Sequence, residues 1–535
     1  MTQRNQRHPL LFLLSVLLLA ALACNLPTAS SPASTRPAEQ ETLAAQLFPT
    51  ARAGGQAGQN PTPVEPGSPA ATPIPARPGT AFAGLVLAQA GRVPDVVSAF
   101  HPEGGLLDYV TQPGDTLAGL AGRFGVEKGQ IQGEAMSPDG LLAPGALVFI
   151  PAGGGEVLPG EALLPDSEVI YGPPAADFDI QAYVQAAGGY LSTYSETVDG
   201  ETMSGAQAVR RIALETSTNP RLLLAMLEFR AGWVRGRPRN AQADYPIGFE
   251  APSHRGLYKE LALVTRQLTQ GYYGWRAGSF ERITFLGGSS ARPDPRLNAG
   301  SVGLPNLFAV LYRPEDWAQA LYGERGFLAL YAEMFGDAWA RAAPFEPLLP
   351  GNLGETQPEW QLPFAPGGKW NFTRGGRLPW GVGSPLGALD FAPADEGKGC
   401  YTSARWATAS APGVVARSER GLLVLDADGD GQEQTGWDLL YLHLADAERQ
   451  PVGTKVGQDE RLGHPSCEGG PATGKHVHLA RKYNGEWIGL GPELPFVLSG
   501  WYVEPGELPY QGRLIRGGDV VEARPDGSGP ALIVR

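Results

Sequence analysis

Two histidines one residue apart near the C-terminus, His476 and His478, carry the strongest chemical signal in the sequence. Alternate residues of a strand point to the same side, so both imidazoles share one face of the strand-like run 476–479. The same alternation places His443 on one face of a second strand-like run, together with Tyr441. Imidazoles grouped in this way can bind a metal or move protons, whereas solvent-facing strand histidines would do neither.

Three segments together resemble the lysostaphin-like (LytM-type) zinc endopeptidases, which cut peptide cross-links in peptidoglycan. They are residues 388–392 (Ala-Leu-Asp-Phe-Ala), 440–444 (Leu-Tyr-Leu-His-Leu) and 473–478 (Thr-Gly-Lys-His-Val-His). The resemblance implies that Asp390 and His478 hold zinc. It also implies that His443 and His476 orient the water and stabilise the tetrahedral intermediate. A zinc with three protein ligands keeps a fourth position for water and lowers the pKa of that water to about 7.

One zinc ligand of this pattern is missing. The family has a histidine four residues before the aspartate or somewhat further upstream, and this chain has Leu386 and Leu378 there, with no histidine between His254 and His443. His464 is the candidate substitute, and the weaker candidates are Asp395 and Glu396. Two protein ligands rarely hold catalytic zinc. The sequence therefore leaves open a zinc endopeptidase and a degenerate LytM protein that binds peptidoglycan and regulates or anchors a separate hydrolase.

The fold around these residues is predicted to be mainly antiparallel β structure. Glycine-rich turns separate short apolar runs over residues 352–535, and the resemblance implies a LytM-type (duplicated hybrid motif-like) domain with a C-terminal extension. Within it, Asp426, Asp428 and Asp430 alternate and glycine follows, like the front of a calcium loop. Position twelve of that loop is Trp437 rather than glutamate, and Asp-Gly also favours a plain hairpin turn.

The N-terminus has the layout of an export signal. Arg4 and Arg7 precede a short apolar run, and residues 21–24 (Ala-Leu-Ala-Cys) resemble a bacterial lipobox whose Cys24 would carry lipid. Residues 1–24 are therefore predicted as a lipoprotein signal peptide, and a cleaved signal with an incidental cysteine is the alternative. Several acyl chains would anchor the protein stably in a membrane, extracytoplasmically at the cell envelope.

Two further modules are predicted before the helical part of the chain. Residues 25–105 form a disordered tether, because Pro, Ala, Thr and Ser there leave little apolar surface to bury. Residues 106–152 resemble a LysM module through Tyr109-Val110, Gly125-Val126 and the run 144–151. That resemblance implies a βααβ fold binding N-acetylglucosamine-containing glycan, and residues 153–167 are predicted as a linker.

Residues 168–348 have helical periodicity and form the predicted middle domain. Val209, Ile212 and Ala213 repeat on one helix face, and Asn219-Pro220 is a helix start. The stretch 219–228 resembles lytic transglycosylases weakly, but their catalytic glutamate falls on Arg230. A helical spacer or substrate-docking domain is favoured over a glycosidase, which needs a well-placed carboxyl acid.

Composition limits the partners. The net charge of −13 argues against nucleic acid, and lipid on Cys24 would leave Cys400 and Cys467 as the remaining pair of three cysteines. A disulfide is expected in an exported protein, with two free thiols as the alternative. The predicted molecule is a multidomain envelope lipoprotein whose partner is peptidoglycan, bound as glycan by the LysM module and as peptide by the LytM-type domain. A purely structural wall anchor would leave Asp390 and the three histidines unexplained.

Overall fold

The computed structural model describes residues 82–102, 105–133, 140–238 and 243–535. The predicted signal peptide with Cys24, and the tether as far as residue 81, lie outside these ranges. All described residues fall within one compact unit. None of the helices in the described ranges is long and apolar enough to cross a membrane.

The first described region is built from short paired strands around one helix. β3, β5 and β4 form an antiparallel sheet in the order β3-β5-β4, while β1 pairs with β7 and β2 with β6. The helix begins at the side chain of Thr116, which accepts a hydrogen bond from Gly119 N. The elements are β1 Val86–Leu87, β2 Ser98–Phe100, β3 Leu107–Val110, α1 Leu117–Phe124, β4 Gln132–Gly133, β5 Leu147–Ile150, β6 Gly155–Val157 and β7 Glu161–Ala162.

Two predicted boundaries differ from this arrangement. Residues 82–102 contain β1 and β2, which pair with strands after residue 154, so this stretch belongs to the folded part rather than to the tether. The predicted linker 153–167 contains β6 and β7 and contributes Leu163 and Leu164 to the helical core. Both segments gain their order from tertiary pairing, which local composition does not reveal.

The middle region is helical, as predicted. Asn219 caps its helix by accepting a hydrogen bond from Arg221 N, with Pro220 at the first helical position. Val209, Ile212 and Ala213 are all buried on one helix. The elements are α2 Ile180–Ala187, β8 Ser195–Val198, β9 Glu201–Ser204, α3 Gly205–Thr216, α4 Pro220–Ala231, α5 Leu257–Arg276, β10 Ile283–Thr284, β11 Ser290–Ala291, α6 Gly300–Ala309, α7 Pro314–Tyr322, α8 Phe327–Phe335 and α9 Ala338–Ala342.

The C-terminal region is mostly β, also as predicted, after one short helix. Its nine-stranded sheet has the order β18-β15-β16-β17-β20-β13-β12-β26, with β21 beside β20. The elements are α10 Leu353–Thr356, β12 Lys369–Arg377, β13 Ala388–Pro393, β14 Ala407–Thr408, β15 Gly413–Glu419, β16 Leu422–Asp426, β17 Trp437–Leu442, β18 Lys455–Val456, β19 Arg461–Gly463, β20 Val477–Tyr483, β21 Glu486–Trp487, β22 Val497–Leu498, β23 Trp501–Pro505, β24 Gly512–Arg516, β25 Asp519–Glu522 and β26 Leu532–Val534.

The central strands of the large sheet are buried on both faces. On β17, Leu440 and Leu442 join the core of the helical domain, while Leu439 and Tyr441 join the core of the β domain. This explains why β16 and β17 read as nearly continuous apolar runs rather than as alternating ones. The helical domain thus packs directly on one face of the sheet.

A partly buried arginine joins the three regions. The Arg276 guanidinium, at the end of α5, donates to Glu486 of β21 and pairs with Asp166 before the helical domain. It also donates to the carbonyl oxygen of Pro113 in the N-terminal module. Removing either charge of such a buried pair leaves the other unpaired, so this residue holds the regions in one arrangement.

Candidate active site

Asp390 and His478 are cross-strand partners at the centre of the large sheet. β13 pairs with β20 so that Asp390 lies opposite His478, and His478 Nδ1 is 3.0 Å from Asp390 Oδ1. Ala388 lies two residues from Asp390 and Ala480 two residues from His478, and both alanines contact the helical core. Because side chains alternate, Asp390 and His478 face the same side of the sheet as the helical domain.

The other two histidines lie beside this pair. The rings of His443 and His476 are 4.4 Å apart between centroids. Their Nδ1 atoms are 2.8 Å from the carbonyl oxygens of Glu468 and Gly474, so each Nδ1 donates its hydrogen and each Nε2 is left as an acceptor. Both Nε2 atoms are buried without a hydrogen-bond partner. The structure therefore brings together all four residues that the sequence singled out.

The backbone around His443 is unusual. His443 directly follows β17 and has φ of 68°, a left-handed conformation that costs a non-glycine residue free energy and recurs at functional sites. Ser466 holds it by donating from its backbone N to His443 O over 2.6 Å. The neighbouring Cys467 forms a disulfide with Cys400, as expected from the cysteine count. This crosslink supports the loop that positions His443.

An arginine occupies the position where the resemblance places a metal. Arg377, the last residue of β12, directs Nη1 to within 2.5 Å of Asp390 Oδ2. Both side chains are almost wholly buried. Arg374, on the same strand, has its Nε 4.0 Å from the same carboxylate oxygen. The aspartate predicted to bind zinc is thus already neutralised by a guanidinium.

These charges set the protonation of the site. Burial would raise the pKa of Asp390, but Arg377 and the neighbouring histidines hold it well below its usual range. Burial lowers the pKa of His476 to about 4, with Asp390 opposing the shift and Arg377 adding to it. Burial, His476 and Arg377 likewise hold the pKa of His443 well below normal. At neutral pH the site contains a carboxylate, a guanidinium and neutral imidazoles.

A small, open cavity of about 30 Å³ lies beside these side chains. Its wall is formed by Arg377, His443 and His478, by the loop after β12 and by the segment 469–471. Trp380 of that loop also lines two further cavities facing α3 and α5 of the helical domain. The helical domain therefore forms part of the surroundings of the site.

The residues present do not fit a catalytic zinc. Asp390 gives one oxygen to Arg377 and the other to His478, and His478 Nε2 is 3.0 Å from the carbonyl oxygen of Pro379. A metal could bind His478 only by displacing one of these two acceptors. Across the ranges that the structure describes, ligand atoms of three His, Cys, Asp or Glu residues converge only at Asp426, Asp428 and Asp430.

The candidate substitutes are engaged elsewhere. His464 Nδ1 bonds to Arg405 O, and its ring packs against Trp406 at an interplanar angle of 44°. The Asp395 carboxylate pairs with Arg405, while Glu396 accepts from Ser403 Oγ over 2.7 Å. None of the three contacts Asp390 or His478 in the structure, so the missing ligand is not supplied by them.

The two positions at which the sequence pattern expects a histidine, Leu386 and Leu378, do not supply the side chain that reaches Asp390. Leu386 lies before β13, where its carbonyl oxygen accepts from Leu490 N, and Leu378 lies in the cavity wall. The residue that reaches Asp390 is Arg377. The sequence signal for Arg377 was its position after two glycines in a strand-forming stretch. An arginine buried in such a strand needs a buried carboxylate as its partner.

The region with weak transglycosylase resemblance holds no comparable site. The Glu228 carboxylate accepts from the backbone N atoms of Val234 and Arg235, and so closes the turn after α4. Arg230, at the position of the family's glutamate, donates to Tyr312 Oη and Ile247 O. Both side chains have structural partners.

Comparisons with known proteins agree with a peptidase-like chain. A family model described as "LasA, N-terminal domain" matches residues 162–348, the helical domain. Protease LasA of Pseudomonas aeruginosa is 27% identical over 352 residues, which are 62% of this chain and 77% of that protein. Beta-lytic metalloendopeptidase of Achromobacter lyticus is 28% identical over 166 residues, 28% of this chain and 42% of that protein.

Among solved structures, a deep-sea M23 metalloprotease, pseudoalterin, covers 34% of this chain and 99% of its own, with 22% identity and a TM-score of 0.27. The alignment with protease LasA is longer than the helical domain alone, so that similarity extends beyond the segment matched by the family model. Sequence similarity to protease LasA and to beta-lytic metalloendopeptidase supports the resemblance drawn from Asp390 and the histidines.

Proposed function

We propose that this protein is an exported cell-envelope protein whose peptidase-like domain binds the peptide part of peptidoglycan without hydrolysing it. The observation that carries the proposal is the buried ion pair between Arg377 and Asp390. The guanidinium supplies fixed positive charge next to the carboxylate, so the domain needs no metal to fold around this site. Unlike a zinc ion, the guanidinium holds no activated water that could attack a peptide bond.

The cavity beside the ion pair is the proposed peptide site. His443 and Arg377 line it, and the Nε2 acceptor of His443 and the Nε donor of Arg377 are both buried without a hydrogen-bond partner. A peptide carries both amide donors and carbonyl or carboxylate acceptors, which match these two kinds of group. Its main chain would bind there as a ligand, and the protein would mark or hold the wall for a separate hydrolase.

The N-terminal module and the lipid belong to the same proposal. Lipid on Cys24 would hold the chain at the membrane, and residues 106–152 would bind glycan containing N-acetylglucosamine. The loop after β3 is buried, with Gln112 Nε2 donating to Arg296 O of the helical region. Glycan would therefore contact the exposed side of the module, which includes Gly125 and residues 127–130.

Zinc content of the full chain tests the central claim. After incubation with zinc and dialysis, we expect elemental mass spectrometry to find almost none in the wild type and close to one zinc per chain in Arg377→His. Arg377 pairs with Ala388 across β12 and β13, two residues from Asp390, and such diagonal positions are about 7 Å apart. A zinc joining a histidine and a carboxylate through bonds of about 2 Å each can span that distance.

Lys369→His is the matched control, because Lys369 lies on the same strand but opposite Val534 of β26, away from Asp390. We expect it to bind no zinc. Purified peptidoglycan sacculi should retain the wild type in a sedimentation assay without losing turbidity. Stoichiometric zinc in the wild type together with lysis of sacculi would overturn the proposal and establish the alternative, a zinc endopeptidase using Asp390, His478, His443 and His476.

A further inference from the structure

The hairpin between β16 and β17 contains a cluster of carboxylates remote from the peptidase-like site. β16 ends at Asp426, β17 begins at Trp437, and Asp428 and Asp430 lie in the connection. Gly429 and Gly431 adopt φ of 88° and 82°, which lets the chain coil tightly around the acidic side chains. One ligand oxygen from each aspartate lies within 4.8 Å of the other two.

The loop is preorganised with its amides turned inward. Asp426 Oδ1 accepts from Asp428 N over 2.9 Å, and Oδ2 accepts from Gly431 N over 2.6 Å. Asp430 Oδ1 accepts from Gln432 N, and its Oδ2 accepts from Thr435 Oγ1. These bonds fix the loop but add no positive charge to it.

A fourth carboxylate gives the independent sign of a ligand. Asp438 is fully buried, and neither of its oxygens has a hydrogen-bond partner. It lies directly opposite Asp426 in the ladder between β16 and β17, so the two side chains share one face of the sheet. Burial and the charges of Glu433, Asp426 and Asp428 raise the pKa of Asp438, and the charge of Lys482 opposes them. A buried carboxylate without hydrogen bonds is costly unless a cation compensates it.

The nearby cationic side chains, Lys482 and Arg417, form their ion pairs with Glu433. Lys482, across the ladder from Asp438, has its Nζ 3.6 Å from Glu433 Oε2. Arg417 Nε is 2.8 Å from the other oxygen of Glu433. In the described part of the chain no ion pair within 4.0 Å reaches Asp426, Asp428, Asp430 or Asp438. The three carboxylates of the loop therefore converge without an ion pair to any described residue, and Asp438 lies beside them, opposite Asp426.

We propose that this hairpin binds one calcium ion. Asp426, Asp428 and Asp430 would supply carboxylate oxygens, and Asp438 would face the ion from the sheet, directly or through a water molecule. The all-oxygen donor set selects a hard cation over zinc. Calcium accepts six to eight oxygens in irregular geometry, which suits a loop ligand set better than the strict octahedron of magnesium. Asp438 would thus supply the carboxylate that the calcium-loop pattern has at position twelve, where this chain has Trp437.

The site has a structural consequence for the neighbouring cavity. β17 runs from this hairpin to His443, which follows its last residue. An ion that fixes one end of β17 stabilises the strand that places His443 at the other end. Calcium should therefore raise the melting temperature of the protein, because it binds the folded chain only.

Terbium luminescence on the full chain tests the site, because Trp437 lies beside Asp438 and can transfer energy to a bound lanthanide. We expect sensitised emission that calcium displaces and magnesium does not, together with calcium binding by titration calorimetry. Asp428→Asn and Asp438→Asn should each weaken calcium binding at least about tenfold. Asp519→Asn, an exposed aspartate on β25, is the matched control and should bind like the wild type.

Two results would overturn the inference. One is a wild-type chain that shows neither displaceable emission nor heat of binding up to millimolar calcium. The other is an Asp438→Asn variant with unchanged affinity, which would remove the buried carboxylate from the site. Because zinc binding by Arg377→His is measured separately, failure of the calcium site and failure of the proposed peptide site can be distinguished.

Discussion

Arg377 and Asp390 form a buried ion pair across β12 and β13, with Arg377 Nη1 2.5 Å from Asp390 Oδ2. The second oxygen of the same carboxylate contacts His478 Nδ1. Each oxygen thus has its own partner, and the charge of the aspartate is balanced within the protein. The pair contributes to folding as well as to the chemistry of the cavity.

Asp390→Asn should therefore destabilise the protein even without metal. The substitution leaves the Arg377 guanidinium buried and unpaired, which costs about 3–5 kcal/mol in the free energy of unfolding. Urea denaturation in the presence of EDTA measures this cost. Asp395→Asn, which breaks an exposed pair with Arg405, should cost less than about 1 kcal/mol. Equal stabilities for the two variants would show that the pair between Arg377 and Asp390 does not stabilise the folded protein.

Arg377→Met should raise the pKa values of His443, His476 and His478. The guanidinium lowers all three, because a neighbouring positive charge opposes protonation of an imidazole. NMR titration of the histidine ring signals measures the shift, with Arg374→Met as the control on the same strand. Unchanged titration curves in Arg377→Met would contradict the placement of its charge beside the rings.

Because the carboxyl group of Glu346 is buried, we expect the free energy of unfolding to fall as pH rises. Burial raises its pKa to about 7, against hydrogen bonds from Ser167 Oγ and Leu348 N. Below the unfolded pKa of about 4.5 both states hold the proton. Between that pH and 7 the unfolded chain releases a proton that the folded chain keeps, so unfolding becomes easier by on the order of 3 kcal/mol.

Glu346→Gln should remove this pH dependence. The variant is expected to be more stable than the wild type at pH 8, with the difference vanishing towards pH 4, in urea denaturation across that range. Glu355→Gln, at an exposed position of α10, serves as the control. Parallel curves for Glu346→Gln and the wild type would refute the assignment.

Gly122→Ala should loosen the N-terminal module from the helical domain. A Cβ at Gly122 would collide with the backbone carbonyl of Gly278, although alanine is the better helix former by about 1 kcal/mol. We expect a net loss of about 1–3 kcal/mol and faster proteolysis between residues 140 and 157. At Gly129, in the same module, a Cβ meets nothing within 4 Å, so Gly129→Ala should be neutral. Equal protease resistance of the two variants would contradict the packing.

Much of the candidate site could be predicted from the sequence because strand alternation is a local rule. His476 and His478 share one face because they are two residues apart, and the cap at Asn219 follows from side-chain chemistry next to Pro220. The apolar runs of β16 and β17 indicated strands, but not that the helical domain covers one of their faces. That contact joins residues more than two hundred positions apart, such as Tyr272 and Glu486.

The part that could not be predicted depends on long-range pairing. Whether Arg377 faces solvent or Asp390 is decided by the register of β12 on β13, which includes two irregularities before Arg377. The position of Asp438 opposite Asp426 depends in the same way on the register of β16 and β17. A shift of one residue in either ladder would turn these carboxylates to the opposite face.

The arginine in the catalytic position also determines which surroundings the protein tolerates. Zinc bound by surface-exposed enzymes can be stripped by chelators or withheld by a competing organism, and their activity then fails. A guanidinium is covalently part of the chain and stays charged at any physiological pH. The charge of the peptidase-like cavity of this protein therefore does not depend on the supply of zinc.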